Sequence, residues 1–528
     1  MTADSAMSDG RETVRGQLLA RVGGKRPGLL FEDDSWTWDE VVHESVVRAA
    51  VLDELLHEGR PPHVGVLLDN TPEFSFLLGA AALGGKVLVG LNTTRRGPAL
   101  AADIARSDTQ VVLTEAAYAD LLTDADVPVV RVDDPAWAGM LESHADAGVP
   151  HADVGPDTLM MLIFTSGTSG EPKAVNVTQS KVAYPGVFLS ERFGLGPDHV
   201  AYLSMPMFHS NAIMAGWGPA LASGASMALA RRFSASGFLP DVRRYGATYA
   251  NYVGKPLAYV LATPERADDA DNPLRIVFGN EANERDIAEF GRRFGCVVVD
   301  SYSSTENAVI VQRVPDMPAG SLGRPLDGVQ VLDPETMVET PDAAFGPDGR
   351  LLNAEEATGE LVNTQGAGAF AGYYNDPDAE AERMRGGMYW SGDLAYRDAD
   401  GFVYFAGRTA DWLRVDGENL AAAPIERILL RHPAVSEAVV YAVPDERVGD
   451  QVMAALVTAA PLTRDELEAF LADQPDLSPK ARPRYVRIAP RLPRTATNKV
   501  LKRELAAEGP VAGDGVLWEL DQRRGSSF

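Results

Sequence analysis

The chain has 528 residues, of which 45% are hydrophobic and 23% charged, and its formal net charge is −27. A chain of this length and composition can bury a large core and should form two or more domains. The acidic balance argues against general binding to nucleic acids or anionic membranes, because such a surface repels polyphosphates unless local cationic groups override it. We interpret the acidity as a well-solvated surface.

The cysteine content and the N-terminus indicate a reducing compartment. Cys296 is the only cysteine, which excludes an intramolecular disulfide framework, and we expect it to be buried and unreactive. The first twenty residues lack the apolar core of a secretory signal, so we expect a cytoplasmic protein. Residues 212–230 carry no charge, but their glycines, proline and serines favour a buried, bent helix over a transmembrane segment.

From residue 63 to residue 133, short β-branched runs alternate with helical patterns. The strand-like runs are HVGVLLDN, KVLVGLN, TQVVLTE and VPVVRVD, and the segment TPEFSFLLGAAALGG between the first two is helical in pattern. This alternation predicts βαβ units and mostly parallel sheets. The fold class is therefore α/β, with a large N-terminal domain built from such sheets.

The pattern changes twice in the second half of the chain. Around Leu351 to Tyr404, the runs TGELVNT, GAFAGYY and MYWSGDLAYRDADGFVYFAGR predict the short strands of a small β subdomain. Beyond it, VSEAVVYAV, QVMAALVT and YVRIA predict strands and TRDELEAFLA predicts a helix. We expect a boundary near 408–411, which divides a domain of residues 1–408 from a smaller α+β domain of residues 409–528.

The strongest motif is the run FTSGTSGEPK, from Phe164 to Lys173, which follows the apolar run TLMMLIF. Small residues let successive backbone N–H groups converge on phosphate oxygens, and hydroxyls and a lysine add donors and charge. The run lacks the spacing of a Walker A loop. We predict a polyphosphate-binding loop whose contacts come from Thr165, Ser166, Gly167, Thr168, Ser169, Gly170 and Lys173.

This loop resembles the phosphate loop of the adenylate-forming superfamily, which contains acyl-CoA synthetases, peptide-synthetase adenylation domains and firefly luciferase. Further motifs follow in the family's order, and the resemblance spans about Leu30 to Arg503. It implies ATP and AMP binding, Mg²⁺ and coenzyme A. It also implies a C-terminal domain that rotates between two half-reactions.

Two motifs resemble the segments of this family that surround the acyl carboxylate and the α-phosphate. MFHSN, from Met207 to Asn211, implies that His209 lies beside the carboxylate, although a lone histidine could equally be a core residue. DSYSSTE, from Asp300 to Glu306, implies an adenine stack, an α-phosphate contact and a metal ligand, although it could also cap a helix. A further motif, GNEA from Gly279 to Ala282, resembles the segment against the adenine. The resemblance thus assigns to the nucleotide, with Thr165 and Glu306 as metal ligands, the residues Gly279, Asn280, Glu281, Ser301, Tyr302, Ser303, Thr305 and Glu306.

Later motifs resemble the ribose-binding and lysine motifs of the family. YWSGD implies that Asp393 accepts bonds from the ribose hydroxyls, and Arg408 reaches the same sugar. PRTATNK implies that Lys499 assists adenylation, and it lies in the stretch from Pro479 to Arg503, which has nine Lys or Arg and no acidic residue. A turn aspartate, a surface arginine and a solvated basic face are the alternatives.

The resemblance also implies which residues bind the acyl group and which serve the attack of the thiol. The segments YVGKP, which contains Tyr252 and Gly254, and RVDGEN, from Arg414 to Asn419, resemble those of the very-long-chain or fatty-acid-transport branch of acyl-CoA synthetases. This resemblance favours a bulky apolar acid that is fatty, polycyclic or terpenoid. The segment Gly417, Glu418 and Asn419 is implied to replace Lys499 when a thiol attacks the acyl-adenylate. Phe208-His209 lacks the aspartate that binds an α-amino group, so we expect an acid without one.

Four positions depart from the family's pattern: Ser303, Asn307, Ala410 and Asn498. The first, second and fourth replace glycines, and added side chains could restrict the approach to the nucleotide. We therefore predict an acyl-CoA ligase and retain three alternatives. The chain could thioesterify an acyl-adenylate supplied by a separate adenylating enzyme, could load a carrier protein, or could bind adenylates without catalysis.

Overall fold

In the computed structural model, the chain divides into two compact units. The first unit comprises Met1–Asn307 and Ala369–Ala381, and the second comprises Ala308–Gly368 and Glu382–Phe528. The structure describes residues 10–166, 172–282, 284–314, 316–346, 351–408, 412–415, 418–445, 449–474, 477, 479–494 and 500–520. The predicted boundary near 408–411 stays a prediction.

The first unit is built on two sheets. Its described strands are β1 (Pro27–Phe31), β2 (Asp34–Thr37), β3 (His63–Leu67), β4 (Val87–Gly90), β5 (Val111–Thr114), β6 (Val129–Arg131), β7 (Leu159–Ser166), β8 (Pro172–Thr178), β9 (Val200–Leu203), β10 (Ser226–Leu229), β11 (Tyr249–Val253), β12 (Ile276–Asn280) and β13 (Val297–Asp300). They are ordered β13-β12-β11-β9-β10-β1-β2 and β6-β5-β3-β4-β7-β8. Within the sheets the pairs are parallel except at β1–β2 and β7–β8, so the predicted βαβ arrangement is confirmed.

Helices cover these sheets. The described helices of this part are α1 (Val14–Leu19), α2 (Trp38–Leu55), α3 (Pro72–Gly84), α4 (Gly97–Arg106), α5 (Ala116–Ala119), α6 (Pro135–Ser143), α7 (Gln179–Phe193), α8 (Gly218–Ser223), α9 (Phe238–Tyr245), α10 (Pro256–Leu261) and α11 (Glu284–Phe294), with a 3₁₀ turn at Asp120–Leu122. Helix α3 begins with Pro72 and ends at Gly85 in a left-handed conformation, as proline and glycine favour. Its residues from Phe74 to Gly84 are buried, which makes α3 a core helix.

The uncharged segment 212–230 is only partly the helix that we predicted. A π-helix occupies Asn211–Trp217, α8 follows directly, and residues 226–229 form β10 instead of continuing the helix. Gly224 ends α8 with a φ of 75°, a conformation that favours glycine and stops the helix. The π-helical turn supplies the irregularity that we had assigned to a bend. Among the described helices, none combines the length and apolar composition needed to cross a bilayer.

The second unit carries three further sheets. Its described strands are β14 (Val311–Gln312), β15 (Arg324–Pro325), β16 (Val329–Leu332), β17 (Gly359–Asn363), β18 (Met384–Arg385), β19 (Met388–Arg397), β20 (Val403–Arg408), β21 (Trp412–Val415), β22 (Glu418–Ala421), β23 (Val435–Asp445), β24 (Gly449–Thr458), β25 (Tyr485–Ile488) and β26 (Val516–Glu519). The strands β14 and β15 pair with each other. A second sheet has the order β16-β17-β19-β18 with β20 on β19, and a third has β22-β21-β24-β25-β26 with β23 on β24.

The remaining helices are α12 (Ala354–Ala357), α13 (Pro377–Arg383), α14 (Ala422–Leu429), α15 (Arg464–Ala472) and α16 (Lys502–Glu508), with a 3₁₀ turn at Pro479–Ala481. The capping box of Thr463 and Glu466 starts α15 where the sequence predicted a helix. The α/β class is confirmed, and so are the strands of the β subdomain except one. Residues 368–374 form no strand, and within them Tyr373 makes a single bridge to Val175.

Candidate active site

The predicted phosphate loop joins two antiparallel strands. Thr165 on β7 pairs with Lys173 on β8, so the hairpin brings the two ends of the loop together. Among the described residues, the strand β8 rather than a helix follows the loop, and Lys173 lies near the start of that strand. The loop residues Gly167, Thr168, Ser169 and Gly170 and the side chain of Ser166 lie outside the described part of the chain.

Lys173 and Glu306 are both buried and both contact Tyr373. The Lys173 side chain is 4% exposed, and its Nζ lies 5.4 Å from the centre of the Tyr373 ring. The Tyr373 hydroxyl donates a hydrogen bond of 2.9 Å to Glu306 Oε1. Sequence reasoning missed Tyr373, because we had placed it within a predicted strand of the β subdomain.

A second buried lysine, Lys181, interacts electrostatically with Glu306. Lys181, near the start of α7, donates to the backbone oxygen of Asn176 at 3.3 Å. Burial lowers the pKa of Lys181 to about 8, while the negative charge of Glu306 acts in the opposite direction. Nothing in the motif spacing pointed to Lys181, since its position beside Glu306 depends on how β8 and α7 pack.

The segment that carries His209 is held by hydrogen bonds to the side chain of Asn70. The motifs did not indicate this residue. The Asn70 amide donates to the backbone oxygens of Met205 and Ala230, and its oxygen accepts the N–H of Met207 at 2.9 Å. The side chain is 3% exposed and every one of these groups is buried with it. The backbone N–H of His209 then donates to Pro206, which closes a turn. Asn70 therefore ties the predicted acyl motif to the end of β3.

The acyl motif is also bonded to the phosphate motif. The hydroxyls of Ser210 and Thr305 lie 2.9 Å apart. The next residue, Asn211, donates to the backbone oxygen of Tyr252 at 2.9 Å and to Asn280 Oδ1 at 3.3 Å. These bonds bring the motifs at 207–211, 252–254, 279–281 and 300–306 together within the first unit, as the resemblance implied.

Tyr252 is held inside the unit. Its hydroxyl donates to Asp300 Oδ2 at 2.7 Å, and its side chain is 2% exposed. A β carbon at Gly279 would lie 2.1 Å from the backbone oxygen of Tyr252, so only glycine allows β11 and β12 to pack this way. Gly254 has a φ of 75° and donates its N–H to the backbone oxygen of Asn280. The Tyr252 side chain thus braces this part of the site.

The heptapeptide 300–306 does not begin a helix, so the alternative of a helix cap is wrong. The Asn280 amide donates to the backbone oxygen of Ser301 at 2.6 Å and to the Ser303 hydroxyl at 3.2 Å. Ser303 is exposed, and Tyr302 and Thr305 are half-buried. Glu281 is exposed with a φ of 69°, an uncommon backbone conformation for a residue other than glycine.

Asn307 also has a positive φ, of 54°. Glycine is favoured in this conformation, and asparagine is among the few other residues that adopt it readily. The departure at Asn307 is therefore compatible with the backbone that a glycine would take. Ser303 engages Asn280 through its hydroxyl, so its side chain is accommodated as well.

The predicted ribose contacts lie in the second unit. Asp393 on β19 pairs in register with Arg408 on β20, and Arg408 Nε lies 3.2 Å from Asp393 Oδ1. The Asp393 side chain is buried, whereas that of Arg408 is 45% exposed. The preceding N–H of Gly392 donates to the buried Glu360 at 2.7 Å, and burial raises the pKa of Glu360.

Some residues that the resemblance implied fall in other parts of the chain. Gly417, Lys499 and the departures Ala410 and Asn498 lie outside the described residues, and Glu418 and Asn419 are described only as backbone of β22. Cys296 is buried, as predicted, and burial raises the pKa of its thiol to about 12, which favours the protonated and less reactive form.

The donor set at Glu306 fits a magnesium ion that is held mainly by a nucleotide. Among the described residues, no cluster of three or more His, Cys, Asp or Glu side chains could hold a metal ion by itself. Nucleotide sites instead bind Mg²⁺ through one or two carboxylates together with substrate phosphates. Glu306 offers such a buried carboxylate, Thr305 precedes it in the chain, and the half-buried Thr165 lies near the end of β7.

Two family models match the chain. The model of AMP-binding enzymes matches residues 19–374, and the model of the AMP-binding enzyme C-terminal domain matches residues 424–499. The chain is 55% identical over 506 residues to the medium/long-chain-fatty-acid–CoA ligase FadD17 of Mycobacterium marinum, covering 96% of this chain and 97% of the relative. It is 50% identical over 505 residues to the steroid-22-oyl-CoA synthetase of Rhodococcus jostii, covering 94% of this chain and 91% of the relative.

Solved structures show the same fold. The o-succinylbenzoate CoA synthetase MenE of Bacillus subtilis, solved with the acyl-adenylate OSB-AMP, is 25% identical with a TM-score of 0.75, covering 93% of this chain and 97% of that chain. ATP-bound MatB of Rhodopseudomonas palustris is 23% identical with a TM-score of 0.80, covering 94% and 98% of the two chains.

Proposed function

We propose that this chain, which belongs to the family of AMP-binding enzymes, is an acyl-CoA ligase that activates a bulky apolar carboxylic acid with ATP and transfers it to coenzyme A. The observation that carries the proposal is the 2.9 Å contact between the hydroxyls of Ser210 and Thr305. It joins the segment predicted to meet the acyl carboxylate to the segment predicted to meet the α-phosphate. Adenylation needs these two groups side by side.

The reaction has two halves. In the first, a carboxylate oxygen attacks the α-phosphorus of ATP, and the bond to pyrophosphate breaks. Thr305 donates to the α-phosphate, and Lys499 offsets the charge that grows there. Glu306 would hold Mg²⁺, which would supply positive charge to offset that of the phosphates. In the second half, the thiol of coenzyme A loses its proton and its sulfur attacks the acyl carbon, and AMP leaves.

The relatives support a large apolar acid. The printed names of FadD17 and of the steroid-22-oyl-CoA synthetase refer to medium or long fatty acids and to a steroid carboxylic acid, and both are at least 50% identical to this chain. A relative named sulfoacetate–CoA ligase, from Cupriavidus necator, is 33% identical. We therefore propose an acid of the fatty or steroid class rather than a small polar acid.

Thioesterification of a preformed acyl-adenylate remains the competing function. It was motivated by the four departures, and the geometry weakens two of them, because Asn307 adopts a backbone that asparagine tolerates and Ser303 is bonded to Asn280. Both observations support an enzyme that makes its own adenylate. Loading of a carrier protein would differ only in the thiol that is acylated.

The decisive experiment measures the two halves separately. Acid-dependent release of pyrophosphate is measured with medium-chain and long-chain fatty acids, with steroid carboxylic acids and with sulfoacetate, and acylation of coenzyme A is measured from synthetic acyl-AMP. We expect both activities with an apolar acid and neither with sulfoacetate. Acylation from acyl-AMP without pyrophosphate release would favour the thioesterification-only enzyme, and preference for a phosphopantetheinyl protein would favour carrier loading.

Lys499→Ala tests the assignment of the two halves within one protein. We expect pyrophosphate release to fall about 100-fold or more, since a donor at the developing charge is lost, while acylation from supplied acyl-AMP is retained. Lys25→Ala, at a side chain that is 84% exposed, is the control and should leave both halves unchanged. An equal loss of both halves in Lys499→Ala would refute the role of the lysine.

A further inference from the structure

One short segment of the chain returns to the first unit. After Asn307 the chain enters the second unit, yet Ala369–Ala381 belongs to the first. This segment lies along β8, which is the edge strand of its sheet. The N–H of Tyr374 donates to the backbone oxygen of Ala174 at 2.8 Å, and the N–H of Asn176 donates to that of Gly372 at 3.1 Å. The returning segment therefore covers the strand that begins beside the phosphate loop.

The returning segment places the Tyr373 side chain between Lys173 and Glu306. The backbone of Tyr373 forms a β-bridge to Val175, which lies two residues after Lys173 on β8. The Tyr373 ring faces Lys173 Nζ, which lies 5.4 Å from the ring centre. Its hydroxyl reaches Glu306 Oε1 at 2.9 Å. The Phe370 ring packs against Tyr373 with the ring centres 4.9 Å apart. The tyrosine is 5% exposed and is thus held on several sides.

From this geometry we infer that Tyr373 is a positioning residue that fixes the Glu306 carboxylate and the Lys173 ammonium relative to each other. The inference rests on the proposed function, in which these groups serve Mg²⁺ and the phosphates of ATP. A hydrogen bond at Oε1 limits rotation of the carboxylate, and no described residue donates a hydrogen bond to Oε2, the oxygen that would meet a metal. The ring face attracts an ammonium group without neutralising it. A single neutral side chain thus orients both charges.

Tyr373→Phe isolates the contribution of the hydroxyl, because the phenyl ring stays beside Lys173. We expect the Mg²⁺ concentration at half-maximal pyrophosphate release to rise about tenfold, as is typical when a residue that orients a metal ligand is removed. The KM for the acid should change less than twofold. Mn²⁺ binding to the enzyme with a non-hydrolysable ATP analogue, followed by electron paramagnetic resonance, should weaken by a similar factor.

The neighbouring tyrosine provides a matched control. The Tyr374 hydroxyl donates to Asp108 Oδ2 at 2.8 Å, so Tyr374→Phe also removes one phenolic hydrogen bond to a carboxylate from the same segment. We expect it to leave the Mg²⁺ dependence and Mn²⁺ binding unchanged. Tyr373→Leu, which removes the ring as well, should additionally raise the KM for ATP several-fold, because Lys173 loses its contact with the ring face.

The outcomes separate this inference from the proposed function. If wild-type protein releases no pyrophosphate with any acid, the proposed function fails, and Mn²⁺ binding still tests Tyr373. Equal Mn²⁺ binding by Tyr373→Phe and Tyr374→Phe would overturn the inference, as would a uniform loss of kcat without a change in Mg²⁺ dependence. The Glu306→Gln background provides a second test of the same contact. There, removal of the Tyr373 hydroxyl should have no further effect on Mn²⁺ binding, and an undiminished effect would contradict the inference.

Discussion

Glu306 in the first unit and Asp393 in the second are both buried and both predicted to serve the nucleotide, yet they are held in different ways. Asp393 is aligned with Arg408 by the register of two adjacent strands. Glu306 is hydrogen-bonded to Tyr373, a residue 67 positions later. Tyr373 lies in the segment Ala369–Ala381, which belongs to the first unit although the chain on both sides of it belongs to the second. The first arrangement depends on local pairing and the second on long-range packing. Distant substitutions should therefore disturb Glu306 more readily than Asp393.

The largest effect is expected from Glu306→Gln. The Tyr373 hydroxyl can still donate to the amide oxygen, so the fold and the melting temperature should be preserved. Loss of the charge should lower acid-dependent pyrophosphate release by about 100-fold. The exposed Glu142→Gln, on α6, is the control in the same assay. Near-normal pyrophosphate release by Glu306→Gln would contradict the assignment of Glu306 as a metal ligand.

Asp393→Ala tests the locally held carboxylate and should act on the nucleotide alone. Because hydrogen bonds to a charged group contribute about 1.5–3 kcal/mol, the KM for ATP should rise about tenfold or more. The KM for the acid should stay within twofold in steady-state assays. A parallel rise in both constants would mean that Asp393 supports the site as a whole instead of binding ribose.

Asn70→Ala tests whether long-range packing also positions the predicted acyl-binding segment that carries His209. Losing the amide leaves Met207 N–H and two backbone oxygens without their partners, which should cost about 2 kcal/mol of unfolding free energy in urea titrations. Displacement of the His209 segment should raise the KM for the acid about tenfold.

Asn272→Ala is the matched control for Asn70→Ala. The Asn272 amide donates to the backbone oxygens of Asp269 and Phe294 and accepts the N–H of Leu274, which is the same pattern of bonds in a different place. It should lose comparable stability while the KM for the acid is unchanged. If the two variants raise that KM equally, the effect is one of stability and Asn70 has no special role.

The smallest effect is expected from Glu360→Gln, beside Asp393. Burial raises the pKa of Glu360 above its ordinary 4.5, so the folded protein holds a proton that the unfolded chain has already released. Glu360 therefore lowers stability as the pH rises from 4.5 through its raised pKa, and below 4.5 this penalty is absent. Melting temperatures across this range should fall less steeply in Glu360→Gln. If the dependence of melting temperature on pH is the same in Glu360→Gln as in the wild type, ionisation of Glu360 does not destabilise the folded protein.

Much of the site was predictable because its motifs are local. The phosphate-loop strand, the 300–306 loop and the pair Asp393–Arg408 depend on residues that are close in sequence, and the structure has them where the patterns indicated. Tyr373 was not predictable, because an aromatic residue after a glycine resembles any short strand. Asn70 and Lys181 gave no signal either, since each acts on residues far along the chain.

The sequence by itself determined the α/β class and the family, and it predicted which groups serve the chemistry, because these are carried by hydrophobic periodicity and by motifs of fixed local spacing. Only the tertiary structure decided what holds those groups in place. Ser210 meets Thr305, and Tyr373 meets Glu306, through packing of segments that are separated by long stretches of chain. Hydrogen-bond partners at such distances depend on how sheets and loops pack together, which no local pattern records.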